Sequence, residues 1–343
     1  MRIALDTNPL YSSRAGVARY VDGLRRGLHA LAPADLALVE LGWPVENFGY
    51  AQPARALRTA YRELVWAPLL APAKMKQADL VHHTFGPLMP FVPGPRHVMT
   101  LCDVALLRHP GRYRPWHRRA GVRRLARVAR ADRVICISRF TADEAMALLG
   151  LPAGKLEVVH LAATLAEKEE AVPGLPGEFY LFVGSLEPGK NLAFLRALWH
   201  EHGARLPPLV IVGARWAGVP GEGPPPAGWI YLGHQSDAAL LALYRRAKAL
   251  LFPSLYEGFG LPLLEAMTAG CPVICAPRAS LPEVAGDAAC LVELEPDRWR
   301  AALAGVERDA AGWRQRGFAR AREFSWEKCA RETAAVYRAV LGG

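Results

Sequence analysis

No uninterrupted apolar run in this 343-residue chain reaches the roughly 18–20 residues that a membrane-spanning helix needs. The longest apolar stretch near the N-terminus, Leu64 to Ala73, is too short and carries two prolines. The opening residues, Met-Arg-Ile-Ala-Leu-Asp6, read directly as a strand, so no secretory leader is expected and a cytoplasmic location follows. Cysteine is scarce, and Cys102, Cys136, Cys271, Cys275, Cys290 and Cys329 are scattered. Cys271 and Cys275 bracket Pro-Val-Ile in an apolar run, and no second pair offers zinc spacing. Small core residues in a reducing compartment are expected, with no metal and no disulfide. No Gly-x-Gly-x-x-Gly follows the first strand, which argues against a dinucleotide oxidoreductase.

Acidic residues are outnumbered, 32 against 42 Lys and Arg, for a net charge of +10. The excess is local: ten arginines lie between Arg108 and Arg133. Helical spacing there puts Val122, Leu125, Ala126 and Ala129 on one face and Arg119, Arg123, Arg127 and Arg130 on another. That basic face is either a solvated surface or an attractor for an anionic membrane or polyanionic acceptor. Nucleic acid is not an expected partner, because no aromatics interleave the arginines and no binding motif is present.

Apolar runs and helical patterns alternate throughout. Strands are expected at Ile3–Leu5, Leu36–Leu41, Asp79–His82, His97–Leu101, Arg133–Ile137 and Leu156–His160. After a polar, Pro/Gly-rich segment from Ala162 to Gly177, six more are expected: Phe179–Val183, Leu209–Val212, Trp229–Leu232, Ala249–Phe252, Pro272–Cys275 and Ala289–Val292. Such alternation implies an α/β protein with two parallel sheets, each flanked by helices. The loop from Gly218 to Gly228 is expected to be exposed.

One stretch concentrates the chemistry. Phe252-Pro-Ser-Leu-Tyr-Glu257-Gly-Phe-Gly260-Leu-Pro-Leu-Leu-Glu265-Ala-Met267 reads as a buried strand, a glycine-punctuated loop and a helix beginning near Pro262. Glycines admit close backbone approach, and a helix N-terminus directs N–H groups at an anion. Two carboxylates flanking such a cradle suit a ligand with both phosphates and vicinal hydroxyls. An ordinary strand–turn–helix with surface glutamates would read the same on local grounds.

Glu257 and Glu265 in this setting resemble the signature of retaining glycosyltransferases of family 4. Phe182-Val-Gly184-Ser185-Leu-Glu-Pro-Gly189-Lys190-Asn-Leu192 resembles the family's phosphate-binding strand and loop. Gly233-His-Gln-Ser-Asp237, with Leu240 and Tyr244, resembles the segment that touches the base. Ser280-Leu-Pro-Glu-Val284, Phe324-Ser-Trp-Glu-Lys328 with Tyr337, Gly16-Val-Ala-Arg-Tyr20 and Asp132-Arg-Val-Ile-Cys-Ile-Ser138 also match, in order, across nearly the whole chain. The resemblance implies the GT-B architecture, two Rossmann-like domains facing a cleft. The boundaries would be 1–165, completed by a C-terminal helix over 326–343, and 166–325.

By the same resemblance Glu265 would accept hydrogen bonds from the donor's ribose and Glu257 from its sugar near C3 and C4. The N–H groups of Phe259, Gly260 and Leu261 would face sugar or phosphate, with Gly184, Ser185, Gly233 and Ser254 lining the donor site. Lys190 would carry the charge of the departing diphosphate, and Gly16 would meet it from the first domain. Catalysis would then rest on Glu257, Lys190 and Asp103, with a nucleotide sugar as co-substrate and no metal or other cofactor. Three departures stand out. Gly189-Lys190 replaces a common Arg-Lys, leaving Arg14 or Arg215 to substitute. Cys102-Asp103 replaces a common His-Asp, so His82 or His83 would supply an acceptor-side imidazole. His160-Leu-Ala-Ala163 lacks the usual hinge glycine.

The function expected is a retaining transfer of a hexose, first of all from GDP-mannose, to a glycan or polyprenyl-diphosphate-linked acceptor in bacterial surface polysaccharide synthesis. The enzyme would work peripherally at the inner membrane face. A UDP-sugar donor, a sugar-nucleotide 2-epimerase and a non-catalytic sugar-nucleotide-binding protein are the alternatives.

Overall fold

The computed structural model describes residues 1–12, 16–31, 35–44, 52–85, 89–112, 115–214 and 224–342. The chain divides into two compact units, Met1–Ala162 with Ser325–Gly343, and Ala163–Phe324.

In the first unit six strands form one parallel sheet: β1 (Arg2–Asp6), β2 (Ala37–Leu41), β3 (Leu80–His83), β4 (Arg96–Leu101), β5 (Arg133–Cys136) and β6 (Leu156–Val158). Their spatial order is β2-β1-β3-β4-β5-β6. The second unit repeats the plan with β7 (Tyr180–Val183), β8 (Leu209–Val212), β9 (Trp229–Gly233), β10 (Leu250–Phe252), β11 (Val273–Cys275) and β12 (Cys290–Leu291), ordered β12-β11-β10-β7-β8-β9. Every strand expected from sequence is present, with ends moved by at most two residues. The reason is physical: helices cover both faces of a parallel sheet, so strands such as β3, β7 and β8 are buried at every position and read as apolar runs.

Each sheet reverses its winding beside its first strand. The chain runs from β1 outward to β2 and returns to β3 on the other side of β1. It likewise runs from β7 through β8 and β9 and returns to β10. Loops at the carboxyl ends of the strands flanking such a reversal diverge and leave a crevice, where ligands of open α/β sheets bind.

The C-terminal helix Trp326–Gly342 belongs to the first unit and packs on the helix Gly16–Leu31. Cys329, Thr333, Val336, Tyr337 and Val340 are buried, as their helical spacing predicts. A Cβ at Gly27 would lie 2.6 Å from the Trp326 carbonyl oxygen, and one at Gly23 would overlap the Trp326 ring. These two glycines set how closely the helices approach.

The arginine-rich segment is helical over Pro115–Ala126 and closes with a tighter turn over Arg127–Arg130. Its expected apolar face is corrected. Val128 is buried and Leu125 half-buried, while Val122, Ala126 and Ala129 face solvent beside exposed Arg119, Arg123 and Arg130. The tight final turn changes the angular step and turns Val128 inward in place of Ala129. Arg127 is half-buried.

All six cysteines are free; Cys290 is half-buried and the others are buried. Burial raises their thiols above the usual range, which leaves them un-ionised.

Candidate active site

The second unit assembles its polar groups at the reversal between β7 and β10. After β7 the chain turns through Pro188–Lys190, where Glu187 accepts from the Gly189 N–H at 2.7 Å. Asn191 then adopts a left-handed conformation, φ 56°, before the helix Leu192–His202. Two bonds fasten this loop to the one after β10. The Asn191 side-chain amide donates to the Pro253 carbonyl at 3.2 Å, and the Leu255 N–H donates to the Gly189 carbonyl at 2.9 Å. Lys190 and Glu257 consequently meet, with Nζ 2.6 Å from Oε1. Both side chains are mostly buried, and the Lys190 ammonium lies 5.9 Å from the Phe252 ring centre.

The Glu257 backbone is fixed separately. Buried Ser280 donates its hydroxyl to the Glu257 carbonyl at 2.9 Å, in a turn where Ala279 is forced to φ 53°. A non-glycine residue at positive φ is uncommon and marks a turn that its surroundings over-determine. Sequence reading placed Ser280 in a motif without a role; the structure makes it the support of Glu257.

Gly260 opens the next helix, Leu261–Ala269, with φ 97°. That conformation favours glycine, and a Cβ would come 2.8 Å from the Leu281 side chain. Glu265 lies one turn in, 2% exposed, and accepts from the Tyr244 hydroxyl at 3.1 Å. Tyr244 is fully buried, so it orients Glu265 from behind. Phe259 is buried against Phe324 in an edge-to-face contact. Ser254 is fully buried and its hydroxyl has no hydrogen-bond partner among the described residues. An orphaned hydroxyl costs free energy unless something occupies it, so Ser254 is a candidate ligand contact.

Gly184, Ser185 and Gly233 lie at the carboxyl ends of β7 and β9. Gly213, which sequence reasoning missed, is sterically the most demanding of this group. At φ 143° its Cβ would overlap the Gly184 carbonyl oxygen. Its only signal was a glycine directly after a buried strand.

The arrangement of ammonium, two carboxylates, an unpartnered hydroxyl and a helix N-terminus can bind a diphosphate ester bearing polyhydroxylated groups. Among the described residues, one histidine–carboxylate grouping is close enough to share a cation. It comprises Glu201, His202 and Asp297, with His202 Nε2 3.6 Å and 3.4 Å from the two carboxylates. None of the three belongs to the group around Lys190, Glu257 and Glu265, and their spacing is that of an ordinary ion-pair cluster.

In the first unit the expected acceptor-side residues differ in exposure. Asp103 is exposed just after β4 and accepts from the Ala105 N–H at 2.9 Å. Cys102 is buried, and burial, reinforced by Asp103, drives its thiol far above the usual range. His82 and His83 are wholly buried, which corrects the expectation of an available imidazole. His82 pairs through Nδ1 with the Tyr337 hydroxyl at 2.6 Å and through Nε2 with Thr100 at 2.8 Å. Tyr20 continues the chain, 2.6 Å from Thr100. His83 stacks on His97, with Nε2 3.0 Å from its Nδ1. Burial lowers both His82 and His83 to about 3, so both are neutral. Gly16 begins the first long helix and is exposed. Arg14 and Arg215 lie outside the described residues, as does most of the loop expected over 218–228.

Asp6 is a further residue that sequence reading passed over. It ends β1, beside the reversal in the first sheet, and is 1% exposed. Oδ1 accepts from the Asn8 N–H and its side-chain amide, at 3.0 and 2.8 Å, while Oδ2 has no partner among the described residues. Burial raises its pKa to about 6, against the opposing pull of the Asn8 bonds and Arg62.

Residues 166–310 match the family described as glycosyl transferases group 1, and residues 14–167 match glycosyltransferase family 4. Over 240 residues the chain is 33% identical to a protein of Escherichia coli named O-antigen chain mannosyltransferase B. That match takes in 61% of this chain and 61% of the relative, less than two thirds of the relative's own length. Among solved structures, sucrose-phosphate synthase from Thermosynechococcus elongatus superimposes with TM-score 0.75 at 18% identity, covering 100% of this chain and 99% of the other. Anabaena Alr3699/HepE in complex with UDP-glucose does so with TM-score 0.71 at 16% identity, covering 99% and 100%. These two likenesses concern the fold, which is GT-B.

Proposed function

Because the chain belongs to glycosyltransferase family 4, we propose that it is a retaining hexosyltransferase, moving mannose from GDP-mannose to a lipid-linked glycan of a bacterial surface polysaccharide. The observation that carries this reading is the Lys190–Glu257 pair at the reversal of the second sheet, with Tyr244-oriented Glu265 one helical turn beyond Gly260. The choice of mannose is supported by the Escherichia coli mannosyltransferase relative.

The chemistry follows from the charges. As the sugar–phosphate bond lengthens, negative charge grows on the departing diphosphate. An ammonium placed there stabilises the transition state more than the ground state, which is what accelerates a reaction. Lys190 supplies that charge, and its present contact with Glu257 keeps it aimed into the crevice. Once the diphosphate shares Lys190, the Glu257 carboxylate is available to accept from sugar hydroxyls and fix the sugar's orientation. Glu265 accepts from the ribose hydroxyls bidentately, and Ser254 gains the partner it lacks. The departing phosphate takes the acceptor's proton on the face where the new bond forms, giving retention without a protein nucleophile or a metal. Asp103 is the acceptor-side carboxylate in this scheme. Exposed Arg119, Arg123 and Arg130, with Arg127 beside them, would favour an anionic surface near the acceptor.

A UDP-sugar donor is the second reading, supported by the structural neighbour that holds UDP-glucose. Calorimetric titration with GDP, UDP, dTDP and ADP sugars separates the two. GDP-mannose should bind tightest and turn over in EDTA with a polyprenyl-diphosphate glycan. Tighter binding of UDP-glucose would move the reading to the second donor. Release of an epimerised sugar without acceptor would replace transfer altogether.

A further inference from the structure

Twelve large apolar side chains are exposed among the described residues, and five of them fall in one fourteen-residue stretch. They are Leu57 (74% exposed), Tyr61 (38%), Leu64 (72%), Leu69 (67%) and Leu70 (47%). All lie on one continuous helix, α over Pro53–Tyr61, π over Arg62–Leu70 and α again over Ala71–Met75. The buried side of the same helix, with Trp66, Ala67, Ala71 and Met75, belongs to the first unit's core. Leu57 and Tyr61 share a face by ordinary α-helical spacing, and Leu64, inside the π stretch, is exposed in its turn. Leu69 follows Leu64 by five residues, a step that would leave the face in an α-helix. In the π stretch, whose bonds run from i to i+5, that step returns to the same side. Pro68 sits inside this stretch and lacks the N–H that a regular α-helical ladder would use there. The wide turn therefore extends an exposed apolar stripe that an α-helix would have broken.

We propose that this stripe is the surface by which the enzyme docks on an anionic bilayer, its leucines entering the headgroup–acyl boundary. Charge selects that occupant. Arg55 and Arg58 flank the stripe at one end and Lys74 and Lys76 at the other, and none has a carboxylate partner among the described residues. The single acid of the stretch, Glu63, is paired with Arg62 at 3.0 Å. An apolar face bordered by unpaired cations matches a surface of anionic headgroups over hydrocarbon, with long basic side chains reaching back to the phosphates. No helix among the described residues is long and apolar enough to cross a membrane, so the stripe lies in the interface. The inference deepens the proposed function and rests on it, since a lipid-linked acceptor is met at a membrane.

The test is co-sedimentation of the full chain with vesicles of phosphatidylethanolamine and phosphatidylglycerol, beside vesicles of phosphatidylcholine alone. The wild type should partition to the anionic vesicles, weakening but persisting at high salt because the apolar contribution is unscreened. Leu57→Ser/Leu64→Ser/Leu69→Ser should lower partitioning at least about tenfold while GDP-mannose turnover on a water-soluble acceptor is unchanged. Should that variant fold poorly, Leu64→Cys carrying an environment-sensitive fluorophore should shift to the blue on anionic vesicles only. Equal partitioning of wild type and triple variant, or no blue shift, overturns the proposal. So does light scattering showing a dimer that the triple variant dissolves without any change in vesicle binding, which makes the stripe a self-association face. Partitioning is read without catalysis, so absence of transfer with partitioning intact counts against the proposed function and leaves docking standing.

Discussion

The Lys190 ammonium lies 2.6 Å from the Glu257 carboxylate, although the two are 67 residues apart in sequence. Each group therefore holds the other in place, and in the proposed reading donor entry would exchange one charge-assisted contact for two. Lys190→Ala should lower kcat/KM by about 10²–10³-fold, the usual cost of deleting one preorganised charge-stabilising donor. The circular dichroism spectrum should not change. Glu257→Gln should act mainly on kcat, because an amide still bonds sugar hydroxyls but no longer aligns Lys190. Steady-state kinetics decide, and an unchanged rate in Lys190→Ala would assign the diphosphate charge to another cation.

Ser280 supports Glu257 through the backbone, and its effect should be separable from that of the carboxylate. Ser280→Ala leaves a buried carbonyl with a weaker partner, a loss of roughly 1–3 kcal/mol in local stability. Loosening Glu257 should show as a several-fold lower kcat with little change in donor affinity. Ser280→Thr keeps the hydroxyl and should recover most of the rate. If calorimetry shows donor affinity and kcat falling together in Ser280→Ala, the serine contacts the ligand itself.

The strands could be read from sequence because burial on both faces leaves apolar runs, and Glu257 and Glu265 could be singled out because glycines and a helix start frame them. Pairings depended on strand order, which no local pattern carries. His82 sits at a strand end, where exposure is the natural expectation. It is covered by Tyr337, 255 residues away on the returning C-terminal helix. Asp6 was passed over for a related reason, since a carboxylate after a first strand acquires meaning only once β3 is known to lie on the opposite side of β1 from β2. The arginine helix failed in a different way: its final turn tightened, and the angular step assumed for Ala129 no longer held.

Buried titrating groups give the first unit opposing pH dependences. His82 and His83 fall from 6.5 to about 3, so the unfolded chain binds protons that the folded chain does not as pH drops from about 6.5 toward 3. Their contribution to stability is present above about 6.5 and is lost as pH falls toward 3. Asp6 behaves in the opposite sense, with a folded pKa of about 6 against 3.8 unfolded. Its contribution is greatest below about 3.8 and is lost, by at most about 3 kcal/mol, as pH rises through about 6. Urea midpoints measured between pH 4 and 6.5 should therefore rise more steeply in Asp6→Asn than in wild type. Parallel curves would mean that the Asp6 carboxylate ionises as it does in water.

Gly27 and Gly305 form a matched pair for testing the helix contact in the first unit. Both sit inside helices, where exchanging glycine for alanine lowers the entropy of the unfolded chain and stabilises by about 0.4–1 kcal/mol when space allows. At Gly305 no atom lies within 4 Å of the place a Cβ would take, so Gly305→Ala should stabilise. At Gly27 the new methyl meets the Trp326 carbonyl oxygen at 2.6 Å and the Ala330 Cβ at 2.9 Å, and neither can swing away as a long side chain would. Relieving that overlap means moving the helix Trp326–Gly342 outward, an overpacking cost of about 1–3 kcal/mol that exceeds the entropic gain. Gly27→Ala should therefore lower the denaturation midpoint and speed amide exchange through Ala330, Thr333 and Tyr337. A neutral or stabilising outcome would show that the C-terminal helix shifts at little cost and does not lock the first unit.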